Sequence, residues 1–339
     1  MSELHSFIAT IWFLIVGLIL VLYVVLDGFD LGVGILTLSA RGEQHRGIMM
    51  ASIGSIWDAN ETWLVLLGGT LFGAFPVVYG VVLHALYIPI LGMLVGLILR
   101  GVAFEFRQHS TRKQLWDLSF GLGSLLAALC QGLALGGLIQ GISVKSTSFA
   151  GGVFDWLTPF SLTVGIGVTA GYILLGANYL ILKTDGDLQR QQFWKAIASA
   201  WVMVLMAAVV TGLTFLLHDH VARKWVNPDN WGYLAPLPIF AVLCFGFMLW
   251  ALHRRRDHAP FFWSIGIFIA SFAGLAISLF PYMIPPSVTL SEAAASSKTL
   301  VFMLTGVGML LPVMLIYNAY QYMVFRGKVR SSSYEDMER

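Results

Sequence analysis

Long apolar runs alternate with short polar connections along almost the whole chain, and that alternation predicts the fold. Crossing the hydrocarbon core takes about 20 apolar residues as a helix. Nine windows satisfy this, at roughly 8–38, 51–73, 77–104, 116–139, 157–182, 193–217, 233–252, 261–282 and 299–325. The first is long for a single crossing, so it must tilt or extend past the membrane surface. No connection is large enough to fold by itself, and no convincing internal repeat relates the spans. The expected architecture is an all-α polytopic membrane protein, one transmembrane domain over 1–339.

The basic residues between the runs set the orientation. Alternate connections and the tail hold Arg41, Arg46, Arg107, Arg112, Lys113, Lys183, Arg190, Lys195, Arg254, Arg255, Arg256, Arg326, Lys328, Arg330 and Arg339, fifteen in all. The opposite set holds four, Lys145, Arg223, Lys224 and Lys298. This bias predicts nine transmembrane helices with the N-terminus periplasmic and the C-terminus cytoplasmic. Composition agrees: 11% of residues are charged and 58% hydrophobic, against about 25% charged in soluble domains. The basic residues form no continuous stripe, so nucleic acid is not an expected partner. Membrane lipid is.

MSELHSFIAT has no basic n-region and no cleavage pattern follows, so the first run reads as a retained anchor. Cys130 and Cys244 stand alone in apolar stretches and read as buried thiols. Trp12, Trp156, Trp225 and Trp231 fit an interfacial aromatic belt. Pro281, Pro285 and Pro286 end the eighth helix. Gly28/Gly32, Gly92/Gly96 and Gly167/Gly171 have the spacing that lets helix backbones approach closely.

Charged side chains inside a span are costly and mark functional candidates. Asp27 and Asp30 lie three apart in LDGFDLGVG, and Asp58 and Glu61 three apart in WDANETW. Arg100 sits near the inner end of the third run, with Glu105 at its mouth. Residues at i and i+3 share a helix face, so each acidic pair can point at a common spot. With the second helix starting near residue 51, Asp58 would lie roughly 10 Å deep and Glu61 a turn deeper. Four carboxyls cannot all be neutralised by one arginine, and a row of carboxyls opening to the cytoplasm is what a proton path needs. Against this stands a structural ion-pair network in which Arg100, with Asp27 and Asp30, holds three helices together; Asp58, Glu61 and Glu105 are the candidates for the proton path. Glu105 would serve equally as a solvated interfacial charge.

Bis-histidine haem ligation needs imidazoles on facing helices at similar depth. Only His84 falls clearly inside a span; His5, His218 and His220 lie at the outer edge, and His45, His109, His253 and His258 on the cytoplasmic side. A His84–His218 pair stays open, but a hydrogen-bonded core role for His84 is the better reading. The chain is therefore expected to bind no haem and no metal.

LDGFDLGVG and SIWDANETWLVLLGGTLFGAFP, followed in order by LILRGVAFEFR, QLWDLSFGLGSL, GANYL, SLFPYMIPPS and LPVMLIYNAYQYMVFRGKV, resemble subunit II of the cytochrome bd ubiquinol oxidases over the whole chain. Glu61 and the short connection between the sixth and seventh spans point to the cyanide-insensitive branch. The resemblance implies a multi-pass protein of the bacterial cytoplasmic (inner) membrane that binds no haem. Its implied partner is a larger subunit I carrying two b-type haems and one d-type haem; a small single-helix third subunit is a further candidate. The complex would oxidise quinol, reduce oxygen to water and take protons from the cytoplasm, with room for a structural quinone. Asp58 would lie on a proton path with Glu105 near its entrance, and Trp63 near a lateral oxygen entrance, unless Trp63 is simply a packed lipid-facing aromatic. Two other readings compete: a proton-coupled membrane transporter, and a purely structural assembly subunit.

Overall fold

The computed structural model describes residues 3–329. Arg330 and Arg339 of the basic tail, and the side chain of His220, lie outside the described residues. The helices are α1 (Glu3–Thr37), α2 (Gly42–Ile53), α3 (Trp57–Ala74), α4 (Pro76–Ala85), α5 (Tyr87–His109), α6 (Lys113–Gln140) and α7 (Pro159–Lys183). They continue with α8 (Gly186–Leu217), α9 (Asp219–Val226), α10 (Trp231–Leu234), α11 (Pro236–His253), α12 (Ala259–Leu279), α13 (Leu290–Ala293) and α14 (Ser297–Val324). Two short hairpins complete the described chain, β1 (Val144–Lys145) with β2 (Ser148–Phe149) and β3 (Tyr282–Ile284) with β4 (Val288–Thr289).

Among the described residues eight helices are each long and apolar enough to cross a membrane, and α3 with α4 supplies a ninth if that bent pair counts as one span. Two expected boundaries need correction. The second span begins at Trp57 and not near residue 51, because 42–53 forms the separate helix α2. The third run, 77–104, is two helices. A bend of 120° separates α3 from α4 around Phe75, where Pro76 starts the new helix at its first position, as proline favours. A second break at Leu86 starts α5, the actual crossing, which runs on to His109. The residues on either side of Phe75 and of Leu86 are apolar, so hydropathy reveals neither break. At 18 residues, α3 is about 27 Å long, close to a full crossing by itself. The bend thus follows the crossing and does not interrupt it.

The connections sort onto two faces. On one, Lys195 Nζ donates to Ser39 Oγ at 2.8 Å, Lys183 Nζ to the Phe325 carbonyl at 2.6 Å, and Lys328 Nζ pairs with Asp185 and Asp257 at 2.6 and 2.7 Å. These contacts gather the arginine- and lysine-rich connections, and Phe325 near the C-terminal end, onto one basic face. On the other face His5 meets Ser297 at 2.9 Å, the Ala295 N–H donates to the Ala74 carbonyl, and Ser287 Oγ donates to the Ile142 carbonyl. The two ends of the described chain therefore lie on opposite faces.

α1 and α7 form the axis of the bundle. An added Cβ at Gly32 would overlap the Tyr172 carbonyl, and Gly176 opposite meets the Gly32 backbone in turn. Gly96 and Gly123 bring α5 and α6 together in the same way. At Gly167 and Gly171 the neighbours are side chains, Met206 and Phe268. Phe29, between the two aspartates, stacks on Tyr179 of α7 at 4.4 Å. Cys130 and Cys244 are buried and free. Trp12 departs from the expected belt: it is fully buried, its Nε1 donating to the Leu300 carbonyl at 3.0 Å, so it ties α1 to α14.

Candidate functional site

One buried cluster forms where α1, α3 and α5 meet. Arg100 has both terminal nitrogens engaged, Nη1 with Asp27 Oδ1 at 2.6 Å and Nη2 with Glu61 Oε2 at 3.0 Å. Its placement follows from helical spacing: Gly96, Leu97, Arg100, Ala103, Phe104 and Arg107 form the buried stripe of α5, the i, i+3, i+4 repeat of a packed face. Asp30 is fully buried one turn beyond Asp27 and accepts from Asn60 Nδ2 at 2.8 Å. Asn60 in turn accepts from the Tyr322 hydroxyl at 2.9 Å, linking α1, α3 and α14. Asp27 Oδ2, Asp30 Oδ1 and Arg100 Nε have no hydrogen-bond partner among the described residues.

The polar network continues away from the basic face. Tyr23 lies one turn before Asp27 on α1. Gln131 of α6 donates to its hydroxyl at 2.7 Å and accepts from the Tyr172 hydroxyl at 2.7 Å. A second buried ion pair lies toward the basic end, Arg107 Nε to Asp117 Oδ1 at 2.6 Å, with Arg46 Nη1 3.7 Å from the other carboxylate oxygen. In the sequence Arg107 counts among the cations of the connections, with no sign that Asp117 is its partner. The available signal was its place seven residues after Arg100, two turns along one face.

Asp27, Asp30, Glu61 and Arg100 thus come together. Asp58 and Glu105 do not join them. Asp58 sits in the first turn of α3 and is exposed on this chain, so it does not lie a third of the way down a helix that starts at residue 51. Nor does it share the inward direction of Glu61. Starting the helix six residues later puts Asp58 at its mouth. Glu105 is likewise exposed, on the outer side of α5. Trp63, expected at a lipid-facing position or an entrance, is fully buried among Ile19, Tyr23, Leu67 and Met314. Its Nε1 donates to Asn318 Oδ1 at 3.0 Å, which fastens α3 to α14.

His84 corrects the core expectation: it is exposed, on the short helix α4, with its ring edge-on to Phe149 at 5.3 Å. His218 packs edge-on to a different phenylalanine, Phe160, at 6.1 Å. No group of three or more His, Cys, Asp or Glu side chains able to hold a metal ion occurs among the described residues.

A family model described as cytochrome bd terminal oxidase subunit II matches residues 8–325. Cytochrome bd-I ubiquinol oxidase subunit 2 of Escherichia coli K12 is 32% identical, over 97% of this chain and 96% of that protein. Cytochrome bd ubiquinol oxidase subunit 2 of Bacillus subtilis 168 is 30% identical, over 97% of this chain and 98% of the relative. In three dimensions the chain resembles a chain of the bd oxidase from Geobacillus thermodenitrificans, with a TM-score of 0.74 at 19% identity, covering 94% of this chain and 99% of that one.

Proposed function

The chain belongs to the cytochrome bd terminal oxidase subunit II family, and on that premise we propose that it is the haem-free subunit of a quinol-oxidising, oxygen-reducing complex and supplies part of its proton path. Membership makes it a multi-pass component of a bacterial inner-membrane oxidase with at least one partner subunit. Two b-type haems and one d-type haem belong to that larger partner. In support of a haem-free role, His84 and His218 pack against separate phenylalanines, and the buried cluster where α1, α3 and α5 meet is built from carboxylates and a guanidinium. Quinol oxidation and oxygen reduction are therefore assigned to the partner. The basic face lies in the cytoplasm by the positive-inside bias.

The observation that carries the proton reading is the division of labour along one turn of α3. Glu61 is turned inward and held by Arg100, whereas Asp58 is directed out of the chain. A carboxylate held by a charge-assisted bond to a guanidinium that Asp27 fixes from its other side is scaffold. One at a helix mouth, open to water or to a partner surface, is free to exchange protons. Glu105 at the entrance, then Asp58, carry protons inward, and Glu61 couples Asp58 to the ion-paired core. Asp27, Asp30 and Arg100 hold α1, α3 and α5 in register so that the partner finds a defined surface, which is the assembly role. Oxygen passing Trp63 would travel through the apolar wedge that its ring shares with Ile19 and Met314.

A proton-coupled transporter would need an interrupted helix at mid-membrane; the α3–α4 break instead follows a nearly complete crossing. The test is to purify the complex through this chain, record its visible spectrum and follow oxygen uptake with added quinol. A d-type haem band with quinol-dependent uptake is expected. Absence of both would overturn the reading.

A further inference from the structure

On the basic face a cleft of about 880 Å³ opens between the start of α2, the first turns of α8 and the turn joining α11 to α12. Arg41, Arg190 and Arg255 line it, with Asp187 the one carboxylate beside them, so positive charge is in surplus. Among the described residues none of the three guanidiniums has a close carboxylate partner. Arg190 meets Asp187 at 3.9 Å with both side chains about four-fifths exposed (78% and 83%), a contact of little energetic weight. Arg255 lies over the Phe193 ring at 4.9 Å. Its backbone φ of 52° is in the left-handed region, unusual for a residue with a Cβ. That conformation is fixed by flanking backbone bonds from Arg255 N to the Leu252 carbonyl at 3.1 Å and from Arg256 N to the Ala251 carbonyl at 3.0 Å. These two bonds are the pattern of a left-handed helix cap, so the end of α11 sets Arg255 at the rim of the cleft, over the Phe193 ring.

We propose that this cleft binds the phosphate of an anionic glycerophospholipid whose acyl chains run down the outer surface of α8. Guanidinium forks match phosphate oxygens in geometry and charge, and basic pockets between transmembrane helices suit anionic headgroups. What selects lipid over a soluble phosphate is the surface directly below. Trp194 lines the cleft and is 70% exposed; Trp201, Leu205 and Val209, at 57%, 58% and 40%, follow it along α8. Steps of seven, four and four residues keep these side chains on one helix face. Trp194 thus stands at the junction of charged cleft and apolar strip, where an indole favours the headgroup level.

The test uses the intact purified complex, stripped of lipid by detergent exchange and supplied with phosphatidylglycerol, phosphatidylcholine or inorganic phosphate. Native mass spectrometry counts bound lipid, and a thermal scan reads stabilisation. Phosphatidylglycerol should bind to wild type and raise its transition temperature, with the other two far weaker. Arg190→Gln combined with Arg255→Asn, asparagine being tolerant of the left-handed backbone, should weaken phosphatidylglycerol binding by at least about ten-fold. Arg190→Gln alone alters an exposed side chain, leaves folding intact and should show a smaller loss in the same direction. Unchanged phosphatidylglycerol binding in both variants overturns the proposal. Equal stabilisation by inorganic phosphate overturns the lipid assignment.

Discussion

Replacing Arg100 with glutamine removes the one cation that α1 and α3 share with α5. Its guanidinium donates to Asp27 at 2.6 Å and to Glu61 at 3.0 Å, with 2% of the arginine side chain and 1% of Asp27 exposed. Each charge-assisted bond is worth about 1.5–3 kcal/mol. Opening a buried pair from one side costs about 3–5 kcal/mol, because the abandoned charge stays buried. Glu61, with 27% of its side chain exposed, can relax toward solvent, which favours the lower half of that range. Set against a net stability of about 5–15 kcal/mol, the loss is a large fraction. The assay is a denaturant midpoint of the purified complex, with haem content measured alongside. Asp27→Asn in the Arg100→Gln background removes the stranded charge, so the double variant should be less destabilised than the sum of the singles, by about 0.5–3 kcal/mol. Arg100→Lys should rescue only in part, since an ammonium cannot bridge both carboxylates as a fork does. If Arg100→Gln falls within about 0.5 kcal/mol of wild type, the range of ordinary surface changes, or if the double variant is simply additive, the cluster does not hold the three helices together.

Other outcomes follow from the same geometry. Gly32→Ala drives a methyl into the Tyr172 carbonyl and should destabilise by about 1–3 kcal/mol, read as reduced assembled complex at equal expression. Trp63→Phe keeps an aromatic ring, though a smaller one, and strands Asn318 Oδ1 in a buried site, which should cost about 1–3 kcal/mol in thermal or denaturant unfolding. Glu292 closes a capping box with Thr289, and those hydrogen bonds hold its carboxyl below the usual value. Because its pKa is depressed on folding, its stabilisation is present above about pH 4.5 and fades as pH falls through the folded value. The stability difference between wild type and Glu292→Gln should therefore shrink on acidification across that window, and a difference that does not change with pH would refute the cap.

The hydrophobic pattern was enough to find the crossings and to sort their connections onto two faces, because both depend on local composition. It could not find the bend at Phe75 or the break at Leu86, since α4 is as apolar as a true span while packing against the β1–β2 hairpin. Of the site, spacing brings Asp27 and Asp30 toward Arg100 as one reading of the buried charges, but it gives no sign that Glu61, a proton-path candidate, is the second partner of Arg100. Asp58 was misread because its depth was counted from the wrong helix start. Trp12 reads from sequence as an interfacial residue and Trp63 as one near an oxygen entrance or facing lipid, yet both indoles are buried; which tryptophan finds a partner on α14 is a tertiary fact with no local signature. The Tyr23–Gln131–Tyr172 chain was missed for the same reason, its members lying on three helices and carrying no charge.

Asp58 gives the most direct test of the claim that this chain carries protons to the reaction. Its side chain is exposed on the subunit and outside the Arg100 cluster, so Asp58→Asn should leave assembly and the full haem spectrum intact. Quinol-dependent oxygen uptake of that variant, normalised to haem d, should collapse by at least about ten-fold, while Asp58→Glu, which keeps an exchangeable proton, should retain much of the rate. Unchanged turnover in Asp58→Asn at full haem content would contradict the proton-path account, and loss of haem in that variant would make the residue a support of assembly instead.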